Sequence, residues 1–156
     1  MDLIVVLHDV SSAQRLIDMA RLVYGMGFKY FIASKVYGAA ASSGVPEASR
    51  LALRLGRFFS VLPSVREAVE IFEPSMTLIV SYEHGEPLSL EEVGELIERE
   101  RKVLLVLGGI EPGPGKDVVG LGKPIYIRGV ESRIGAVAEA ALILYEASRR
   151  LSASTR

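Results

Sequence analysis

Short apolar runs alternate with helical patterns along the whole of this chain, and no other feature restricts the fold as strongly. The runs LIVVL at 3–7 and VLLVL at 103–107 are apolar at every position, as expected of strands buried on both faces. Between the runs, apolar residues recur at helical spacing, for example at 11–25. Strands separated by helices predict an α/β fold with a mostly parallel sheet and helices on both faces.

This pattern predicts six strands and five helices in one domain. The predicted strands are 3–7, 30–34, 58–62, 76–82, 103–107 and 124–129, and the predicted helices are 11–25, 46–56, a helix beginning at 63, 89–100 and 131–151. With 156 residues the chain can bury a sizeable core. We expect a single domain over 1–151 and a polar tail over 152–156.

Composition narrows the function classes. The chain has no cysteine, which excludes disulfides and thiolate chemistry and favours a cytoplasmic protein. The first ten residues, MDLIVVLHDV, fit neither a signal peptide nor a membrane anchor. The formal net charge of −1 argues against a globally basic nucleic-acid binder, so any such site should be a local patch.

A glycine- and proline-rich turn follows the run at 103–107 and reads GGIEPGPGKDV. Its GlyLys pair does not make a P-loop, because Ile110 and Asp117 stand where that motif needs a glycine and a hydroxyl residue. Two prolines also remove backbone donors that a phosphate would need. Glycines instead allow close backbone approach to a nucleoside, or they only shape the loop.

In parallel α/β folds, ligands bind at the carboxyl edge of the strands. His8, Ser34, residues 81–84 and residues 108–116 all fall at that edge. The pairs His8–Asp9 and Glu83–His84 allow a weaker alternative, a metal-dependent nuclease, although no close ligand spacing supports a metal site.

Three segments carry a family resemblance: ARLVYGMGF, VLLVLGGIEPGPG and IYIRGVESRIGAVAEAALILYE. They resemble the motifs of the SPOUT superfamily of S-adenosylmethionine-dependent RNA methyltransferases, in particular its SpoU-like branch. Arg21 and Gly27 match the first motif, and Gly109 and Glu111 match the second. The third motif keeps residues in strand, turn and helix, namely Ile125, Gly129, Ser132 and Ala138. The two asparagines of the family are replaced by Arg15 and Ile134.

The resemblance implies a C-terminal trefoil knot within 103–151, a homodimer formed through the first and last helices, and S-adenosylmethionine as the cofactor. The expected activity is methylation of tRNA or rRNA, with ribose 2′-hydroxyls as acceptors. The cofactor-binding residues carried over by the resemblance, or placed beside them at the strand edge, are Ser81, Leu107, Gly108, Gly109, Glu111, Ile125, Ile127, Gly129, Ser132 and Ile134.

The resemblance also implies catalytic roles for Arg21, Glu111 and Ser132. Arginine stays protonated at ordinary pH, so Arg21 would act electrostatically and not as a simple base. Each residue has a plainer interpretation: a surface or interface arginine, a loop carboxylate and a helix N-cap. Because the asparagines are missing, a non-catalytic knotted dimer that binds RNA or nucleotides is the main alternative function.

One helix carries a basic stripe formed by Arg50, Arg54 and Arg57 at i, i+4 and i+7. With Lys35 before it, the stripe is the expected contact for RNA phosphates. The alternative is an ordinary solvated helix face.

Overall fold

Seven strands form one sheet within residues 2–154, which are the residues that the computed structural model describes. Every neighbouring pair is parallel, and the strand order is β3-β2-β1-β6-β4-β7-β5. The predicted α/β fold with a mostly parallel sheet is therefore confirmed. The strands are β1 (Asp2–Val10), β2 (Tyr30–Val36), β3 (Phe58–Leu62), β4 (Met76–Val80), β5 (Glu86–Leu88), β6 (Lys102–Gly108) and β7 (Lys123–Ile127).

Two helices begin at serine caps that the sequence predicts. Ser12 accepts a hydrogen bond from the backbone N–H of Arg15 at the first helix, and Ser89 forms a reciprocal capping box with Glu92 at the fourth. The helices are α1 (Ala13–Gly25), α2 (Val45–Leu55), α3 (Val65–Phe72), α4 (Leu90–Arg99), α5 (Lys116–Val119) and α6 (Ala136–Ser154), with a π-helix at Ala40–Gly44 before α2.

Helices cover both faces of the sheet, as the two-sided apolar strands predict. In β1, Val5 and Leu7 pack in the core that α1, α2, α4 and α6 complete, whereas Ile4 and Val6 face the opposite core, which includes residues of α3 and α5. Successive residues of a strand point to opposite faces, so a run that is apolar throughout is buried on both sides.

Three local predictions differ from the structure. The strand Glu86–Leu88 was not predicted, because three residues that include a proline carry no periodic signal. The helix Lys116–Val119 was also not predicted, because four residues are too few to show a helical period. The last helix begins at Ala136 and not at 131, because Gly135 before it has a φ of 94°. Ser132 therefore does not cap it.

The last helix also runs to Ser154, beyond the expected domain end at 151; residues 155 and 156 of the expected tail lie outside the described residues. None of the helices in the described part of the chain could cross a bilayer.

Candidate functional site

The polar edge residues of the sequence meet at the carboxyl ends of the central strands. His8 of β1 pairs with Ser34 of β2 on one side and with Gly108 of β6 on the other. Residues 109–115, here called the glycine–proline loop, leave β6 and separate two cavities. The first, called the His8 cleft, has a volume of about 280 Å³. The second, called the crevice, lies on the β4 side and measures about 20 Å³.

His8 is a buried, uncharged base in the wall of the His8 cleft. Its Nδ1 lies 2.8 Å from the hydroxyl oxygen of the fully buried Ser34, which fixes the ring. Burial lowers the pKa of His8 below its usual 6.5, and this outweighs the opposing effect of the Asp9 and Asp117 carboxylates. The imidazole is therefore neutral near pH 7 and can accept a proton.

Two non-glycine residues in the cleft have left-handed backbone conformations. Asp9 has a φ of 65° and Lys35 a φ of 50°. Their side chains meet, with Lys35 Nζ 3.6 Å from one carboxylate oxygen of Asp9, and the Tyr37 hydroxyl donates to the other at 2.9 Å. Such conformations cost free energy and concentrate at functional sites.

Gly109 joins the ends of β1 and β6. Its N–H donates to the His8 carbonyl at 2.7 Å, and its own carbonyl accepts from the Arg15 guanidinium at 2.6 Å. A Cβ at this position would lie 2.7 Å from the Asp9 carbonyl oxygen and 2.8 Å from Val10 Cβ. Only glycine allows this approach, so Gly109 and Arg15 position the backbone that carries His8 and Asp9.

Arg133 makes contacts across the crevice. Arg133 Nε lies 2.6 Å from the Glu111 carboxylate, and its Nη1 donates to the Pro112 carbonyl at 3.2 Å. The same guanidinium lies 5.8 Å from the centroid of the Tyr82 ring, within the range of a cation–π contact. These contacts join the glycine–proline loop to residues 131–135 and leave little free space between them.

A buried acid lies in the wall of the crevice. Burial raises the pKa of Glu139, while a hydrogen bond with Tyr126 acts in the opposite direction. Burial also raises the pKa of Tyr126, to about 12, so its hydroxyl stays protonated. The Tyr126 ring packs edge-on against Tyr82 with centroids 4.7 Å apart.

The structure brings only part of the expected cofactor site together. Ser81, Gly108 and Glu111 line the crevice. Leu107, Ile125 and Ile127 are buried in the sheet, and Gly109 packs against β1. Three further expected residues follow β7 without lining the crevice: Gly129, Ser132 and Ile134.

The expected catalytic arginine lies elsewhere. Arg21 lines a cavity of about 320 Å³ between α1 and α2, together with Arg50 and Arg54 of the basic stripe. Arg57 does not line this cavity and makes a long contact, 3.5 Å, with the Gly27 carbonyl. Arg21, Arg50 and Arg54 are here called the arginine patch. Two of these arginines already have acidic partners: Arg21 lies 3.8 Å from Asp18, and Arg50 lies 2.5 Å from Glu47.

The two histidines do not form a joint site. His8 lines the His8 cleft, whereas His84 is exposed in the turn after β4, where its N–H donates to Ser81 Oγ. Among residues 2–154, no three His, Asp or Glu side chains gather in a way that could hold a metal ion.

Sequence reasoning did not select Asp117, Glu139 or the Arg15–Gly109 contact as parts of a site. Asp117 could have been found, because it follows the glycine–proline loop at the strand edge. Glu139 gives no such signal within its alanine-rich helix.

Comparison with known proteins gives a sequence family. The model of the family described as RecB-family nuclease (DUF2122) matches residues 38–146. "Putative type II restriction enzyme ApeKORF2002P" of Aeropyrum pernix is 46% identical over 144 residues, covering 92% of this chain and 91% of the relative. "Putative type II restriction enzyme MjaORF1200P" of Methanocaldococcus jannaschii is 29% identical over 147 residues, covering 93% and 95%.

The chain belongs to the RecB-family nuclease (DUF2122) family. The expectation of an S-adenosylmethionine-dependent RNA methyltransferase acting on ribose hydroxyls is therefore wrong. That expectation rested on the SPOUT motifs, of which this chain keeps only some residues.

The solved structures that this chain resembles include SpoU-type methyltransferases. The TrmH/SpoU tRNA modifying enzyme of A. aeolicus matches with a TM-score of 0.72 and 19% identity, over 99% of this chain and 77% of that one. The SpoU methyltransferase AviRb of Streptomyces viridochromogenes, in complex with the cofactor AdoMet, matches with a TM-score of 0.74 and 20% identity, over 97% and 58%. At these identities the likeness shows a shared fold alone.

Proposed function

We propose that this RecB-family nuclease member hydrolyses phosphodiester bonds of nucleic acid in the His8 cleft, with DNA as the first substrate to test. The observation that carries the proposal is one open cavity that joins a neutral histidine, a lysine and two aspartates. The relative of 46% identity is named as a restriction enzyme, which favours DNA.

The residues of the cleft suit this chemistry. The ring nitrogen of His8 that Ser34 does not hold accepts a proton from a water molecule as the water oxygen bonds to phosphorus. The bond from phosphorus to the leaving oxygen then breaks, and that oxygen takes a proton from solvent. Lys35, held by Asp9, stabilises the negative charge that develops on the phosphoryl oxygens.

The proposed mechanism uses no metal ion. Both carboxylate oxygens of Asp9 already have partners, Tyr37 and Lys35, so Asp117 is the carboxylate of the cleft that could coordinate one. A magnesium site is usually built from one or two carboxylates together with substrate phosphates, so cleavage in EDTA decides whether a metal takes part. The metal-dependent form of the nuclease hypothesis, with His8 and His84 as ligands, gains no support from their separate positions.

S-adenosylmethionine also has no step. Ligand pockets for molecules of that size measure roughly 300–1,000 Å³, and the crevice measures about 20 Å³. The crevice of this structure is therefore too small for the cofactor.

The test is cleavage of supercoiled plasmid DNA, with labelled RNA in parallel, by the wild-type chain and by His8→Ala. His84→Ala is the matched control, because it removes the other histidine outside the cleft. We expect cleavage in EDTA as well as in Mg²⁺, a loss of at least about 100-fold in His8→Ala, and no loss in His84→Ala. Equal loss in both variants, cleavage only with Mg²⁺, or no cleavage by the wild type would reject the proposal.

We also propose that residues 1–151 form one domain. Residues 103–151 would contain a trefoil knot, as the resemblance to the SPOUT superfamily implies. The position of β7 between β4 and β5 supports a late insertion of the chain into the sheet. An experimental structure that traces 103–151 past its neighbours without threading would reject the knot.

A homodimer through α1 and α6 is a further part of the proposal. Leu142 and Tyr145 of α6 expose apolar surface of the kind that a partner covers. Light scattering should give twice the chain mass for the wild type and one chain mass for Leu142→Glu with Tyr145→Glu. A monomeric wild type would contradict it.

We propose that the patch formed by Arg21, Arg50 and Arg54 contacts phosphates of the nucleic acid that is cleaved, whether it is DNA or RNA. Replacing Arg50 and Arg54 by alanine should reduce the salt dependence of binding. An unchanged dependence of binding on salt concentration would reject this contact.

The role of Arg57 in nucleic-acid binding stays a prediction. So do the catalytic roles of Arg21, Glu111 and Ser132.

A further inference from the structure

We propose that the His8 cleft receives one unpaired nucleotide of a DNA strand, with its base against an apolar wall formed by Ile110 and Pro112 and its phosphate at His8. The inference rests on the proposed function and deepens it, because it names the form of DNA that the cleft accepts. It follows from the two unlike walls of the cleft and from its depth.

Charge alone gives the cleft little attraction for a phosphate. Among the described residues that line the cleft, Lys35 is the one cationic side chain, against the carboxylates of Asp9 and Asp117. The Lys35 ammonium also lies 3.6 Å from an Asp9 oxygen. Affinity for nucleic acid usually comes from basic residues on phosphates. The cleft therefore needs a second part of the substrate to hold.

The opposite wall offers that second contact. Ile110 and Pro112 both line the cleft and are both exposed, and 40% of Ile110 remains accessible to solvent. An exposed apolar surface at the mouth of a cavity is typical of a ligand contact. The face of a base is the apolar part of a nucleotide, and it packs on such surfaces whatever the sequence.

The glycine–proline loop holds this wall in place. The Gly113 N–H donates to the Ile110 carbonyl at 2.9 Å. Pro114 packs against Gly108, where an added Cβ would lie 2.8 Å from the proline Cδ. A wall that is fixed before binding loses little conformational entropy when a base packs on it.

The depth of the cleft favours an unpaired nucleotide over a paired one. His8 is only 8% exposed, so a phosphate must enter the cleft to reach its ring. The volume of about 280 Å³ is close to the lower limit of roughly 300 Å³ for small-molecule pockets, which leaves room for one nucleotide and none for a base pair. A base in a duplex is stacked and paired, and it reaches such a wall only after leaving the stack.

The first experiment measures binding, by fluorescence anisotropy in EDTA, to three labelled DNAs of one sequence: a single strand, a paired duplex and a duplex with one unpaired nucleotide. The His8→Ala chain is used so that the DNA stays intact. It should bind the single strand and the interrupted duplex at least about tenfold more tightly than the paired duplex.

Variants of the apolar wall identify where the base packs. Added to His8→Ala, Ile110→Ala should weaken binding of the single strand about fivefold, and Ile110→Trp should strengthen it by a similar factor. Ile71→Ala is the matched control, because Ile71 is 61% exposed on α3 and does not line the cleft. Unchanged binding in both Ile110 variants would overturn the inference.

The second experiment maps cleavage of the same three DNAs by the wild-type chain. We expect cuts at the unpaired nucleotide of the interrupted duplex and at least about tenfold slower cleavage of the paired duplex. Supercoiled plasmid remains a substrate, since negative supercoiling favours local opening. Equal binding and cleavage of paired and unpaired DNA would overturn the inference but leave the nuclease intact. Preferential binding of unpaired DNA without any cleavage would support the inference and reject the nuclease.

Discussion

The His8 cleft and the crevice share a wall, since Gly108, Ile110 and residues 112–114 line both. The cleft, here called the open side, has a volume of about 280 Å³, whereas the crevice, here called the closed side, has about 20 Å³. On the open side, charged residues are held in left-handed backbone at the ends of β1 and β2. On the closed side, Arg133 and Glu111 form an exposed ion pair that solvent weakens. The comparison shows that one loop can border two cavities of different volume and lining, and that likeness of fold does not reveal which of them is used.

The largest expected effect concerns the open side. Lys35→Met should lower the rate of DNA cleavage by about 100- to 1,000-fold, the usual cost of losing a group that stabilises transition-state charge. Lys29→Met is the control, because Lys29 precedes the opposite end of the same strand. Single-turnover rates measure both. Full activity in Lys35→Met would show that Lys35 does not stabilise the transition state and that the His8 cleft does not act as proposed.

The shared wall gives the next largest effect. Gly109→Ala should lower the free energy of unfolding by about 1–3 kcal/mol, because the new Cβ meets backbone of Asp9 and the side chain of Val10. Gly25→Ala should be neutral or stabilising, since no atom lies within 4 Å of a Cβ there. Urea denaturation compares them, and similar midpoints for the two variants would refute the close approach.

The left-handed backbone at Lys35 predicts a smaller difference. Lys35→Gly should be more stable than Lys35→Ala by about 1 kcal/mol, because only glycine adopts a φ of 50° without cost. Both variants lose the contact with Asp9, so the comparison isolates the backbone. Thermal unfolding that ranks alanine equal to or above glycine would remove the argument for strain at the open side.

The smallest effect belongs to the closed side and depends on pH. Burial raises the pKa of Glu139 in the folded chain, so the unfolded chain ionises first as pH rises above about 4.5 and stability falls through the folded pKa. Glu139→Gln lacks this loss. Its stability relative to wild type should therefore increase as pH rises from 4.5, and an advantage that is constant with pH would be inconsistent with a buried acid.

The fold was readable from the sequence, but most of the site was not. The runs at 3–7 and 103–107 are apolar at every position because both faces of β1 and β6 are buried. A run without polar positions is enough to predict this burial from the sequence. The crevice and the cleft depend instead on side-chain pairs distant in the chain, such as Arg133 with Glu111 and Lys35 with Asp9. Helical and strand periodicity carries no information about such pairs.

Partial motif matches explain the wrong activity. Glycines and an acid follow β6 in the second of the three resembling segments, and glycines occur in the turns of many folds. Arg133 stands at a position of the third motif and contacts Glu111 and Pro112 across the crevice, so the motif match did not predict the shape of the site.

The pH dependence of DNA cleavage tests the central claim, that a neutral His8 in the open cleft is the base. The account predicts that the single-turnover rate falls on acidification with a midpoint below 6.5, because burial lowers the pKa of His8, and that this limb is absent in the residual activity of His8→Ala. A midpoint at or above 6.5, or an acid limb that persists unchanged in His8→Ala, would contradict it.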